Sequence, residues 1–154
     1  MKILITGSTG QLGKALLETS PKSYEIYALN KSELNLNDIE RCKETINKLK
    51  PDWTINCGAF TNVDLAESQK ETAMRINAEA PEAFANEIKK NGGSLLQIST
   101  DYVFDGINRS VPYMIHEQRS PKGNYAISKA KGEESIEKIL GGTNRGIILR
   151  TSWL

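Results

Sequence analysis

Cysteine and histidine are scarce in this chain: 154 residues hold two cysteines, Cys42 and Cys57, and one histidine, His116. Two cysteines build no disulfide framework, and with a single histidine they offer no metal-ligand spacing, so no metal site is expected. Long apolar runs are missing too. None approaches the ~20 residues needed to span a bilayer. The opening Met1-Lys2-Ile3-Leu4-Ile5 reaches Thr6-Gly7 too soon to be the apolar core of a signal peptide. Nor is there an excess of charge: 20 Lys and Arg face 19 Asp and Glu, for a net +1. That balance argues against a nucleic-acid stripe and against a polybasic membrane patch. Repeats, low-complexity tracts and linkers are absent. What remains is one globular domain over residues 1–154, expected to be cytoplasmic and long enough to bury ~70% of its unfolded surface.

Apolar residues alternate between short compact runs and longer stretches at helical spacing. Residues 2–6, 24–29, 53–56, 94–99 and 145–150 each predict a strand. Residues 10–17 predict a helix with Leu12, Leu16 and Leu17 on one face. Ile39, Cys42, Ile46 and Leu49 recur at helical spacing behind a cap at Asn37 or Asp38. A long helical stretch covers about 69–90, where Pro81 predicts a kink or a break. A last helix spans 124–140 and follows a polar loop over about 105–122. Strands alternating with helices predict a parallel sheet with helices on both faces. A ligand crevice is then expected outside the carboxyl ends of the strands.

Gly7-Ser8-Thr9-Gly10-Gln11-Leu12-Gly13 lies between the first strand and the first helix. Glycine there allows a tight turn and a close approach of backbone to a pyrophosphate, which then meets the helix N-terminus. An ordinary strand–helix turn is the plain alternative. The spacing is G-x-x-G-x-x-G, and with Thr6 it resembles the start of extended short-chain dehydrogenases, which use a nicotinamide cofactor. The second strand ends Leu29-Asn30-Lys31-Ser32, with no acid until Glu33. Lys31 and Ser32 can receive a ribose 2′-phosphate by charge and hydrogen bond, which favours NADP over NAD. A solvated loop lysine reads equally well.

Asn124-Tyr125-Ala126-Ile127-Ser128-Lys129 contains Tyr-x-x-x-Lys at the start of a predicted helix. Residues four apart share a helix face, so phenol and ammonium can converge on one site. A nearby lysine and an oxidised nicotinamide are both expected to favour the phenolate of Tyr125. Ser99-Thr100-Asp101 closes the preceding strand on the crevice side. Thr100, with Ser99 as the alternative, can hydrogen-bond the same substrate carbonyl.

Four segments in order resemble the dTDP-4-dehydrorhamnose reductase family. They are Asn56-Cys57-Gly58-Ala59-Phe60-Thr61-Asn62-Val63-Asp64-Leu65-Ala66-Glu67, Ser99-Thr100-Asp101-Tyr102-Val103-Phe104-Asp105-Gly106, Tyr125 to Lys129 with Gly132-Glu133, and Leu149-Arg150-Thr151-Ser152-Trp153. The resemblance implies a doubly wound Rossmann domain with strand order 3-2-1-4-5. It implies NAD(P)H-dependent reduction of the C4 ketone of dTDP-4-dehydro-L-rhamnose, with Thr100, Tyr125 and Lys129 catalytic. It also places Asn35, Leu36, Cys57, Gly58 and Ala59 along the cofactor, and Thr61, Val63, Tyr102 and Trp153 near the sugar nucleotide. Asn77 matches a helix asparagine that orders the site in the family, and a solvated Asn is the plain reading.

Two departures stand out. Tyr-Ala-Ile-Ser-Lys replaces the family's Tyr-Gly-x-Ser-Lys, and Ala15 stands where some members carry a magnesium-binding glutamate at a dimer contact. The family also continues past Arg-Thr-Ser-Trp into a substrate lobe. Residues 1–154 alone are therefore expected to turn over little, and a homodimer is expected only of a longer form. Two rival readings keep the same residues: another nucleotide-sugar reductase or epimerase, and an NADP-binding regulatory protein. His116 reads as solvated, Cys42 as core, and Cys57 as a small neutral residue beside the cofactor.

Overall fold

The structure, a computed structural model, describes residues 1–107 and 110–152. Strand β1 (Lys2–Thr6) is apolar on both faces and is buried almost throughout, so it must lie inside the sheet. It pairs in parallel with β2 (Glu25–Leu29) on one side and β3 (Trp53–Asn56) on the other. Strands β4 (Ser94–Thr100) and β5 (Gly146–Thr151) extend the sheet beyond β3. The order is therefore β2-β1-β3-β4-β5.

This corrects the expected order 3-2-1-4-5. Thr54 and Asn56 of β3 are fully buried, which demands a neighbour on each side, whereas β2 is partly exposed along its length and takes the edge. Only one helix, α2 (Ile39–Leu49), links the two, and its crossover carries β3 back past β1. The fold class itself is the expected one, a parallel Rossmann-like sheet wound by helices.

Helix α1 (Gln11–Thr19) follows β1. After β3 come α3 (Val63–Ser68), α4 (Lys70–Met74), a π-helical turn (Arg75–Glu79) and α5 (Ala80–Asn91). Asn62 caps α3 by accepting the Leu65 N–H, and α3 is a helix the apolar spacing did not predict. Pro81 falls in the first turn of α5, where a missing N–H is tolerated. The widening sits just upstream, with the Ala80 N–H reaching back five residues to the Arg75 carbonyl. Helix α6 (Gly123–Leu140) precedes β5. Helices α2, α5 and α6 pack on one face over Leu4, Phe84, Ile88, Leu95, Ile136 and Leu140. None of the helices among the described residues is long and apolar enough to cross a membrane.

On the opposite face, Ile5, Ile55, Leu96 and Ile147 lie in one row across β1, β3, β4 and β5. Exposure climbs along it, from 1% at Ile5 to 45% at Ile147 and 52% at the neighbouring Leu149.

Candidate active site

The carboxyl ends of β1, β3 and β4 open onto two clefts that share Cys57, Ala59 and Thr61. The first, of about 320 Å³, is lined by Gly7, Thr9, Gly10, Lys31, Leu34, Asn35, Leu36, Cys57, Gly58, Ala59, Phe60, Thr61 and Ile76. Gly7 has φ +64° and its missing Cβ would fall 2.7 Å from the Gly58 nitrogen. A Cβ on Gly13 would fall 2.5 Å from the Gly7 carbonyl oxygen. No larger residue fits either place, because the turn brings backbone against backbone. Gly10 then caps α1 with no side chain over the first free N–H groups.

The residues expected to read the cofactor divide. Lys31, Asn35, Leu36, Cys57, Gly58 and Ala59 line this cleft, as do Gly7, Thr9 and Gly10. Gln11 and Leu12 are in the first turn of α1 and Gly13 acts through packing. Asn30 and Ser32 are turned to their own loop: the Asn30 side chain accepts from the Ser32 N–H at 2.8 Å and from its hydroxyl at 2.6 Å. They brace Lys31 where the sequence predicts a phosphate contact from Ser32.

The second cleft, of about 380 Å³, is lined by Cys57, Ala59, Thr61, Val63, Ile98, Ser99, Thr100, Tyr102, Tyr125, Lys129, Thr151 and Ser152. Thr100, Tyr125 and Lys129 thus converge as the spacing predicts. Thr61, Val63 and Tyr102, which the resemblance implies, line the same cleft, while Trp153 lies outside the described residues. The Thr100 hydroxyl donates to the Asp101 carboxylate at 3.2 Å and accepts the Tyr102 N–H at 3.2 Å. The Tyr102 ring stands edge-on to Tyr125, with centroids 5.9 Å apart.

Lys129 is buried, and its ammonium donates to the Ile98 carbonyl at 2.6 Å. Burial pulls its pKa down to about 8, against the opposing pull of the Glu133 carboxylate. Burial also pushes the Tyr125 phenol above its ordinary 10.0. A hydrogen bond with Thr100 opposes this, and Asp101 and Tyr102 add to it. In the protein alone the phenol is therefore raised, contrary to the lowering expected from Lys129, because burial outweighs what the neighbouring groups lend the phenolate. Burial lifts the Cys57 thiol to about 11, in keeping with a packing role.

Asn77, on the π-helical turn, is buried and not solvated. Its Oδ1 accepts the Phe60 N–H at 2.9 Å, and its Nδ2 donates to the Phe60 carbonyl and to the Ser128 hydroxyl, both at 3.0 Å. It ties the cleft loop after β3 to α6 between Tyr125 and Lys129. Glu67 has no role assigned from the sequence: its carboxylate accepts the Asn124 N–H at 2.7 Å and the Asn124 side chain at 2.8 Å, bracing the start of α6. A third group, the buried Thr6, Asn56 and Gln97, runs beneath both clefts. Its signal in the sequence is a polar residue near the carboxyl end of each of three apolar strands.

The family model of the RmlD substrate binding domain matches residues 1–154. A dTDP-4-dehydrorhamnose reductase of Streptomyces griseus is 35% identical over 152 residues, covering 98% of this chain and 49% of its own length. The crystal structure of a dTDP-4-dehydrorhamnose reductase from Clostridium acetobutylicum superposes with a TM-score of 0.91 at 34% identity, over 99% of this chain and 54% of that one. That of Bacillus anthracis, solved in complex with NADP, gives 0.90 at 36% identity, over 99% and 53%. The chain spans about half the length of the relatives it matches.

Proposed function

We propose that this chain, which belongs to the RmlD substrate binding domain family, binds NADP(H) and carries the proton-transfer residues for reducing the C4 ketone of dTDP-4-dehydro-L-rhamnose. The observation that carries the reading is the convergence of Thr100, Tyr125 and Lys129 in a cleft continuous with the glycine-rich one. The dinucleotide fits the residues present. Gly7 and Gly58 leave backbone bare where a Cβ would close the cradle, and α1 offers uncapped N–H groups to a pyrophosphate. Lys31 on the cleft wall, and the NADP named for the Bacillus anthracis relative, support the 2′-phosphorylated form.

When bound, the reduced nicotinamide supplies hydride to the ketone carbon. Tyr125 gives its phenolic proton to the ketone oxygen, a task for which a phenol held in its neutral form is suited. The Thr100 hydroxyl hydrogen-bonds the same oxygen and favours the negative charge developing there. Lys129 would hold the nicotinamide ribose hydroxyls through its ammonium and would favour the phenolate left on Tyr125. Thr61, Val63 and Tyr102, which line the same cleft, would face the sugar nucleotide.

NADPH fluorescence titration tests the binding half with this chain. NADPH should bind more tightly than NADH, and Lys31→Ala should remove most of that preference. Equal affinity for both cofactors overturns the NADP choice, and no binding of either overturns the reading. Loss of NADPH absorbance with the dTDP-keto-sugar tests the chemistry in a protein of the relatives' length carrying this sequence. There Tyr125→Phe should lower kcat about a thousandfold, the scale of a lost general acid. An unchanged kcat would remove Tyr125 from the reaction.

A further inference from the structure

We propose that Gln97 is a positioning residue for Lys129, the end of a buried hydrogen-bonded ladder that links the glycine-rich turn to that lysine. Thr6, Asn56 and Gln97 are register partners across β1, β3 and β4, so they stand side by side in one layer of the sheet. The Thr6 hydroxyl accepts the Gly58 N–H at 3.2 Å and donates to Asn56 Oδ1 at 2.5 Å. Asn56 Nδ2 donates to Gln97 Oε1 at 2.7 Å, and Gln97 Nε2 donates to the Ile98 carbonyl at 2.8 Å. Lys129 Nζ donates to that same oxygen at 2.6 Å. Thr6 and Asn56 are wholly buried, Gln97 is 3% exposed and Lys129 is 5% exposed.

From the Gly58 N–H to the Ile98 carbonyl every bond runs in one direction, and the Lys129 ammonium donates to that carbonyl from the other side. Reversing either amide would set donor against donor, so the register of one side chain dictates the next. A buried row of this kind is rigid when complete and costly when broken. Apolar residues would satisfy the sheet equally well in that layer, as Leu4 and Leu95 do in the neighbouring one. What the polar row adds is an address for the ammonium. The Ile98 oxygen, held by Gln97, binds the ammonium without a carboxylate in contact, which fixes its place while leaving its pKa low. The other titratable groups around Lys129 are Glu133 and Tyr125 on its own helix and Cys57 across the cleft. At the far end, Gly58 is the residue against which Gly7 closes the cofactor turn. One row of bonds thus sets both the phosphate cradle and the lysine.

The functional meaning rests on the cofactor reading above, but the ladder can be tested apart from it. Competitive acetylation of the folded chain across pH, read at Lys129 by mass spectrometry, gives the midpoint for that amine without any cofactor. Gln97→Glu keeps the shape and places a carboxylate beside the ammonium, so the midpoint should rise from about 8 by about one unit or more. Gln97→Leu removes both bonds and should weaken NADPH binding about fivefold, the scale of one buried hydrogen bond. Thr54→Val, on β3 with Asn56 but off the ladder, should change neither readout.

An unmoved Lys129 midpoint in folded Gln97→Glu overturns the proposal. So does an unchanged NADPH affinity in folded Gln97→Leu. If the leucine variant fails to fold, the glutamate variant decides alone. If the parent chain binds no NADPH, the cofactor reading fails and the lysine midpoint still decides the ladder.

Discussion

At 5% exposure the Lys129 ammonium holds its proton less tightly in the folded chain than in the unfolded one, with a pKa of about 8 against 10.5. Between those values the unfolded chain takes up the proton first. Stability therefore falls as pH drops from 10.5 to 8, and the whole penalty stands below 8. A shift of this size corresponds to about 3 kcal/mol. Lys129→Met should thus raise Tm at neutral pH, and the gain should shrink toward zero as pH climbs past the ordinary lysine value. Thermal melts of both proteins across that range check this, and a gain independent of pH would place its origin elsewhere. Tyr125 and Lys129 were legible in the sequence because a four-residue spacing on a helix is a local property. The direction of the Tyr125 shift was not. It depends on how deeply the phenol is buried, which other elements of the fold decide. Gln97 escaped for a similar reason: one polar residue in an apolar strand has no meaning until its cross-strand partner is known.

Helix α6 carries the site, and beyond its apolar packing against α5 a buried charge cluster ties it to the rest of the fold. Glu133, with its side chain wholly buried, receives Arg150 at 2.7 Å and Arg119 at 2.5 Å. Arg150 also donates to the Ile115 carbonyl at 3.0 Å and lies 5.0 Å from the centre of the Phe104 ring. One carboxylate therefore joins α6, β5 and the loop after β4. Burial pushes the Glu133 carboxyl up, but the bonds from Arg150 and Arg119 outweigh it and hold the pKa below the ordinary 4.5. The stability it brings is present above that value and is lost as acid protonates the folded form. Glu133→Gln leaves the Arg150 guanidinium without its anion and Arg119 with Glu137 alone, and should cost about 3–5 kcal/mol in urea unfolding at neutral pH. The loss should narrow in acid, and a loss below 1 kcal/mol would mean that solvent serves the arginines as well. Most elements were readable from spacing and caps, since each depends on its own dozen residues. Helix α3 was not, because six residues give too few turns to show a period. Strand order failed for the opposite reason: it is decided by which strands need two neighbours, and burial on both sides is a property of the assembled sheet.

Across the whole molecule the two faces of the sheet differ. One lies under α2, α5 and α6, while the other shows Ile147 and Leu149 about half exposed on strand β5. A contiguous apolar stripe of this kind binds apolar dyes and promotes self-association. This chain should therefore enhance anilinonaphthalene sulfonate emission while folded. Ile147→Thr with Leu149→Thr, which preserves strand propensity, should cut that emission several-fold with little change in Tm. Undiminished emission in the double variant would place the dye site elsewhere. The meeting of Gly7 and Gly58 has a consequence in time as well as in space. The first turn looks complete by residue 13, yet its far wall is made by residues 57 and 58, and β1 gains its second neighbour only when β3 arrives. During synthesis the opening β1–α1–β2 unit, which ends at Leu29, must wait, half paired, until β3 at residues 53–56 has left the ribosome. Parallel pairing over such distances is slow to form. A nascent chain stalled before β3 should expose its β1 amides to hydrogen exchange, and one stalled well beyond β4 should protect them.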